Sequence, residues 1–124
     1  MSGGKTLGEA FAEAFAGKDV SEIARLMHPQ IDFHALTPNR TWRAKGTEQV
    51  VSDVIQPWFD DFDDGANLLE VASHSFADTE SLTYRFNGRD EDGAFVCEQH
   101  AYMTEDDGRI NWIRLVCSGF CPSD

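Results

Sequence analysis

The stretch from about 94 to 118 constrains this chain most. Two long runs of strand character, about 94–104 and 109–118, meet at Glu105-Asp106-Asp107-Gly108, a sequence that favours a tight hairpin turn. Two further strand-like runs, about 67–76 and 81–87, come before it. The C-terminal half therefore reads as four successive strands, which implies a mostly antiparallel sheet needing a cover for one face.

The N-terminal half supplies that cover. Thr6-Leu7-Gly8-Glu9 is a capping box, and Leu7, Phe11 and Ala14/Phe15 then recur at helical spacing until Gly17. Asp19-Val20-Ser21-Glu22 starts a second, short helix carrying Ile23, Leu26 and Met27, and His28-Pro29 is expected to end it. Ile31–Leu36 alternates with period two and reads as a strand broken by Thr37-Pro38-Asn39-Arg40. A third helix is expected from Thr47, with an apolar stripe of Val50/Val51, Val54/Ile55, Trp58/Phe59 and Phe62. Pro57 falls within that stripe and should kink or split it. The expected order is α-α-β-α-β-β-β-β, an α+β fold in a single domain over residues 1–124.

Composition narrows the function classes. The 124 residues hold 10 basic and 22 acidic side chains, a net charge of -12 that repels nucleic acid and anionic lipid. No apolar run reaches the roughly 20 residues that span a bilayer. Glu9 and Glu13 interrupt the first apolar stretch, so no signal peptide is expected and the cytoplasm is the expected location. Cys97, Cys117 and Cys121 are too few and too odd in number for a disulfide framework and read as free thiols. The Asp60–Asp64 cluster lacks the alternating ligands and closing glutamate of a calcium loop, and reads as a solvated helix end.

Four passages carry a resemblance: Phe15-x3-Asp19; Leu26-Met27-His28-Pro29-x-Ile31-Asp32-Phe33; Lys45-Gly46-Thr47-Glu48-Gln49-Val50; and Asp107-Gly108-Arg109-Ile110. In this order the chain resembles the NTF2-like superfamily, which includes ketosteroid isomerases and SnoaL-like polyketide cyclases. The ending Arg114–Phe120 is similar to a bacterial branch of it with no assigned activity. The resemblance implies a curved, mostly antiparallel sheet wrapped around three helices as a cone. It also implies a pocket inside the cone and a homodimer through the sheet. Registered on the isomerases, the oxyanion-hole tyrosine falls on Phe11, the general base on Ala35 and the second acid on His100. None of those groups is retained. The steroid isomerase mechanism, in which a base aspartate works with a tyrosine and a protonated aspartic acid, is therefore not expected.

Face assignment follows from strand alternation. An even-length turn groups Glu98, His100 and Tyr102 with Asn111, Ile113, Leu115 and Cys117. It groups Cys97, Gln99, Ala101 and Met103 with Ile110, Trp112, Arg114 and Val116. Equal parity in the preceding hairpin adds Thr83 and Arg85 to the first set, and Leu82, Tyr84 and Phe86 to the second. Polarity alone makes the second set the core. The resemblance implies the reverse, with Glu98, His100 and Tyr102 inside the cone and the apolar set covered by a dimer partner.

On that footing the expected catalytic group is His100 as acid/base, with Glu98 and Tyr102 orienting it. Arg85 is either an anion anchor or an ion pair with Glu98. Trp42 and Trp58 are expected as lids or aromatic core, His34 as a further lining residue, and Ile113, Leu115 and Cys117 as pocket wall. The expected ligand is a small apolar or aromatic molecule, bound for proton-transfer chemistry of isomerase, cyclase or dehydratase type; an enzyme of epoxide-hydrolase type, for which Glu98 with Arg85 is a partial match, is a further option. No metal or organic cofactor is implied. The alternative is a non-catalytic homodimeric module that binds a ligand or a protein.

Overall fold

A computed structural model describes residues 5–123. Helix α1 (Leu7–Ala16) opens on the expected capping box: Thr6 Oγ1 accepts from Glu9 N at 3.0 Å, and Thr6 N donates to Glu9 Oε1 at 2.9 Å. Helix α2 (Val20–Leu26) is capped by Asp19, whose carboxylate accepts from Glu22 N at 3.1 Å. Strand β1 (Met27–Thr37) begins directly after it, earlier than the alternation indicated, and β2 (Arg40–Lys45) folds back on it. From sequence the region of β2 reads as irregular chain. It is an edge strand with few apolar residues, ordered by its pairing to β1.

The third helical segment comprises α3 (Thr47–Val50), a π-helical turn (Val51–Ile55) and α4 (Gln56–Phe59), running into one another without a break. Pro57 stands at the start of α4, where its missing N–H and its ring would disrupt a continuous α ladder. The widened turn lies just ahead of it. Strands β3 (Asn67–Phe76), β4 (Thr79–Asp90), β5 (Gly93–Asp106) and β6 (Arg109–Cys117) follow, with a short β7 (Cys121–Pro122) against β5. The sheet order is β2-β1-β6-β5-β4-β3, antiparallel throughout except for the parallel pair β1 and β6.

Asp107 and Gly108 both have positive φ, 59° and 75°, and close the β5–β6 hairpin as a two-residue turn. Its length is even, as expected, yet the face assignment beyond it changes. Thr104 pairs with Trp112 while Glu105 pairs with Ile110, so Asn111 is an extra residue in β6. The bulge turns Ile113, Leu115 and Cys117 to the side of Met103, Ala101 and Gln99. The β4–β5 parity holds as expected, with Tyr84 opposite Gln99 and Phe86 opposite Cys97.

The helices cover the apolar face, as polarity alone indicated. Leu82, Tyr84, Phe86, Phe95, Cys97, Ala101, Met103, Ile113 and Leu115 are all buried there. Phe15 is the hub of this layer, with ring centroids 5.1 Å from Phe59, 5.7 Å from Phe86 and 6.0 Å from Trp58. Replacing it with alanine removes contacts from both layers at once. Phe15→Ala is expected to cost about 3–5 kcal/mol in chemical denaturation. A loss below about 1 kcal/mol would mean that the two layers do not meet through this ring.

Candidate active site in the cone

A cavity of about 170 Å³ lies between the helical layer and the inner face of the sheet. Its walls are aromatic: Phe15 from α1, Trp58 from α4, Trp42 from β2, and Phe120 from the segment after β6. Trp42 and Trp58 meet edge to face at 5.5 Å. The volume resembles that of apolar protein cavities, about 150 Å³, that take up a single benzene ring. Larger depressions lie on the surface; two of them are lined by Lys5, Asp78 and Glu80, and by Arg40, Arg43 and Asp53, respectively. Both are wide and charged, and neither shares Phe15, Trp58 or Gln99 with the cone.

Polar groups are few and specific. Trp42 Nε1 donates to Thr37 Oγ1 at 3.0 Å. Trp58 Nε1 is buried and has no hydrogen-bond partner among the described residues. A buried N–H without an acceptor costs about 1–3 kcal/mol. Asp61, an exposed residue, borders the cavity from just after α4, where its N–H bonds the carbonyl of Trp58 at 3.1 Å. Desolvation raises its carboxyl from the ordinary aspartate value, and the charges of Asp60 and Asp90 add to the shift.

On the sheet side, Gln99 is 2% exposed. Its Oε1 accepts the Tyr84 hydroxyl, and its Nε2 donates to Cys117 Sγ at 3.3 Å. Burial holds the Tyr84 hydroxyl well above its ordinary pKa, so it stays protonated and donating.

Several expected site residues stand elsewhere. Glu98, His100 and Tyr102 project from the outer face of the sheet, because the helices cover the opposite set. His100 Nδ1 bonds Thr83 Oγ1 at 2.7 Å, and its ring meets Tyr102 edge to face at 4.9 Å. Arg85 also lies outside, as an ion pair 3.7 Å from Glu98 and 3.6 Å from Glu70. His34 is on the outer side of β1, 3.3 Å from Asp32, while Ala35 is buried. His34, His100 and Tyr102 share a shallow outer groove with Leu36 and Val116. Leu115 borders that groove, although it and Ile113 are buried core residues. Trp42, Trp58 and Cys117 do line the cone cavity.

Sequence reasoning missed Asp61, Gln99, Thr37 and Phe120. Gln99 had a signal, as the one amide in the apolar set of β5. Asp61 had none, since four neighbouring aspartates look alike without the fold.

Comparison with solved structures identifies the architecture. The chain superposes on a hypothetical protein of ketosteroid isomerase-like fold from Catenulispora acidiphila DSM 44928, in complex with trimethylamine. The TM-score is 0.72 at 12% identity, covering 93% of this chain and 88% of that one. An NTF2-like protein from Burkholderia thailandensis E264 matches with a TM-score of 0.68 at 19% identity, covering 93% and 92%. A candidate polyketide cyclase from Xanthomonas campestris pv. campestris matches with 0.70 at 17% identity, covering 89% and 86%. The chain therefore has the NTF2-like α+β fold. No protein-family model matches the sequence, and no curated protein does either. Among the described residues no helix is long and apolar enough to cross a membrane.

The unpaired indole gives a direct stability test. Trp58→Phe removes the unsatisfied donor and keeps most of the ring, so its stability in denaturant should stay within about 1 kcal/mol of the parent. Trp58→Ala empties the site and should lose about 3–5 kcal/mol. Equal losses in both variants would mean that the indole N–H already has a partner.

Proposed function

We propose that the cone binds a small, largely apolar carbonyl compound of about one ring and moves a proton at the carbon beside the carbonyl. The observation that carries this reading is the buried Trp58 N–H without an acceptor among the described residues, on a residue that lines an aromatic cavity bordered also by Asp61. Asp61 takes the proton from carbon, and the Trp58 N–H donates to the oxygen as it gains negative charge. Asp61 then returns the proton to the same or a neighbouring carbon; return to a different carbon is isomerisation. The aromatic walls exclude water that would compete for the oxygen. The raised carboxyl of Asp61 makes its ionised form a stronger base than a surface aspartate.

Cyclohexanone is a suitable probe, with hydrogen–deuterium exchange of its α-hydrogens followed by NMR in deuterated water. The protein should bind it saturably and accelerate exchange, and Asp61→Asn should lower the acceleration about 100-fold. Exchange should fall on the acid side at a higher pH than for an ordinary aspartate, since only ionised Asp61 accepts the proton. Asp60→Asn removes a neighbouring negative charge and should move that limb to lower pH. Benzene or trimethylamine stabilising the protein as well as cyclohexanone would remove the oxygen contact from the reading. Binding without exchange would leave a ligand-binding module, not an enzyme.

The outer face of the sheet supports a homodimer as part of the same reading. Leu36, Val116, Tyr102 and Phe76 are 51%, 53%, 41% and 56% exposed on the strands of this face, more apolar surface than a lone sheet face normally leaves in water. Val116→Lys should shift sedimentation from dimer to monomer while cyclohexanone binding persists. A parent protein that sediments as a monomer at all concentrations would sink the dimer.

A further inference from the structure

The sheet wall of the cavity holds a second chemistry that proton transfer does not use. Cys117 ends β6 opposite Gln99, and Cys97 lies two residues earlier in β5 on the same inner face. Their sulfur atoms are 3.6 Å apart. The bulge at Asn111 is what brings them together, since without it Cys117 would point outward.

Three polar neighbours converge on Cys117 Sγ. Gln99 Nε2 stands at 3.3 Å, with its other amide atom already committed to the Tyr84 hydroxyl, so the amide is fixed in the donating sense. The Gly119 N–H stands at 3.3 Å. Gly119 has φ +81°, and a Cβ there would lie 2.8 Å from Pro38 Cγ, so the loop that aims this N–H accepts no larger residue. The Cys97 sulfur is the third neighbour, in a contact in which either thiol can donate. A sulfur that receives two N–H bonds and can receive a thiol proton is suited to carry negative charge. Accordingly the Cys97 bond, then those of Gln99 and Gly119, lower the Cys117 thiol below its usual range, against the opposing effect of burial. The Cys117 bond and burial hold Cys97 protonated. Cys117 borders the cavity, whereas Cys97 is 1% exposed behind it.

We propose that Cys117 and Cys97 form a peroxide-reactive dithiol in the cone wall, Cys117 as the attacking thiolate and Cys97 as the resolving thiol. The Cys117 thiolate attacks the distal oxygen of a hydroperoxide, the O–O bond breaks, and the leaving alkoxide or hydroxide takes a proton from water. Cys117 is then a sulfenic acid, oxidised by two electrons, and the peroxide is reduced to an alcohol or water. The Cys97 sulfur attacks the sulfenic sulfur, an S–S bond forms, and water leaves with the Cys97 proton. The two sulfurs must approach by about 1.5 Å to reach bonding distance. The inference does not rest on the carbonyl reading; it needs only that a peroxide reaches Cys117.

The test uses the reduced full chain and one equivalent of hydrogen peroxide, followed by alkylation, intact mass and peptide mapping. The expected result is loss of two hydrogens, a cross-linked Cys97–Cys117 peptide, and Cys121 recovered alkylated. Cys121 is the internal control: it is exposed, and its sulfur faces the carbonyls of Ser118 and Gly119. Cys97→Ala should stop the reaction at one added oxygen on Cys117, trapped by dimedone. Gln99→Leu should slow it about tenfold, because a donor to the charged sulfur is lost. If Cys97→Ala does not fold, the same cross-link in Cys121→Ser carries the test. Oxidation of Cys121 ahead of Cys117, or absence of the cross-link in Cys121→Ser, would overturn the inference. A protein that forms the cross-link but ignores cyclohexanone would keep this inference and remove the carbonyl reading.

Discussion

One extra residue in β6 sets the character of the cone. Asn111 has no partner in the ladder between Thr104 and Glu105, and its side chain accepts from Thr104 Oγ1 at 2.6 Å at that point. Every residue of β6 beyond it changes face relative to a regular hairpin. Ile113 and Leu115 thereby join the core, and Cys117 meets Gln99 and Cys97 inside the cone. Arg114 is turned outward and reaches the Asp32 carbonyl on β1 at 3.1 Å. A regular strand would have buried this arginine and exposed Cys117.

The inner wall then has a consistent polar logic. Tyr84, Gln99 and Cys117 form a directed chain in which hydroxyl donates to amide and amide donates to sulfur. Such a chain is stable in an apolar layer because each buried group has a partner. Trp58, across the cavity, breaks this rule with an indole N–H that has none among the described residues. The unpaired donor thus lies on the helical side and not on the sheet side.

The helical side owes its position to Pro57 and the widened turn ahead of it. A π turn adds a residue to one loop of the helix and re-aims the side chains that follow. Trp58 and Phe59 pack on Phe15, and Asp61 follows at the cavity, with a carboxyl already crowded by Asp60 and Asp90. Rigid aromatic packing and a carboxyl that holds its proton more tightly thus come from the same short segment.

Features that depend on near neighbours in the chain were legible in the amino-acid order alone: the Thr6–Glu9 cap, the Asp107-Gly108 turn, the helix irregularity near Pro57, and the apolar set of β4 and β5. Each depends on backbone preference or on strand alternation, which act over a few residues. On β4 and β5 the polar pattern marked the buried face, but on β6 it put Arg114 and Val116 in the core set in place of Ile113 and Leu115; the face implied by resemblance for Glu98, His100 and Tyr102 is the outer one. Pairing of β2 and the bulge at Asn111 were not legible, because both are decided by the partner strand. The cavity was not legible either. It is the volume left over when two layers pack, so only the tertiary structure sets which of four similar aspartates and which of three cysteines stand at it.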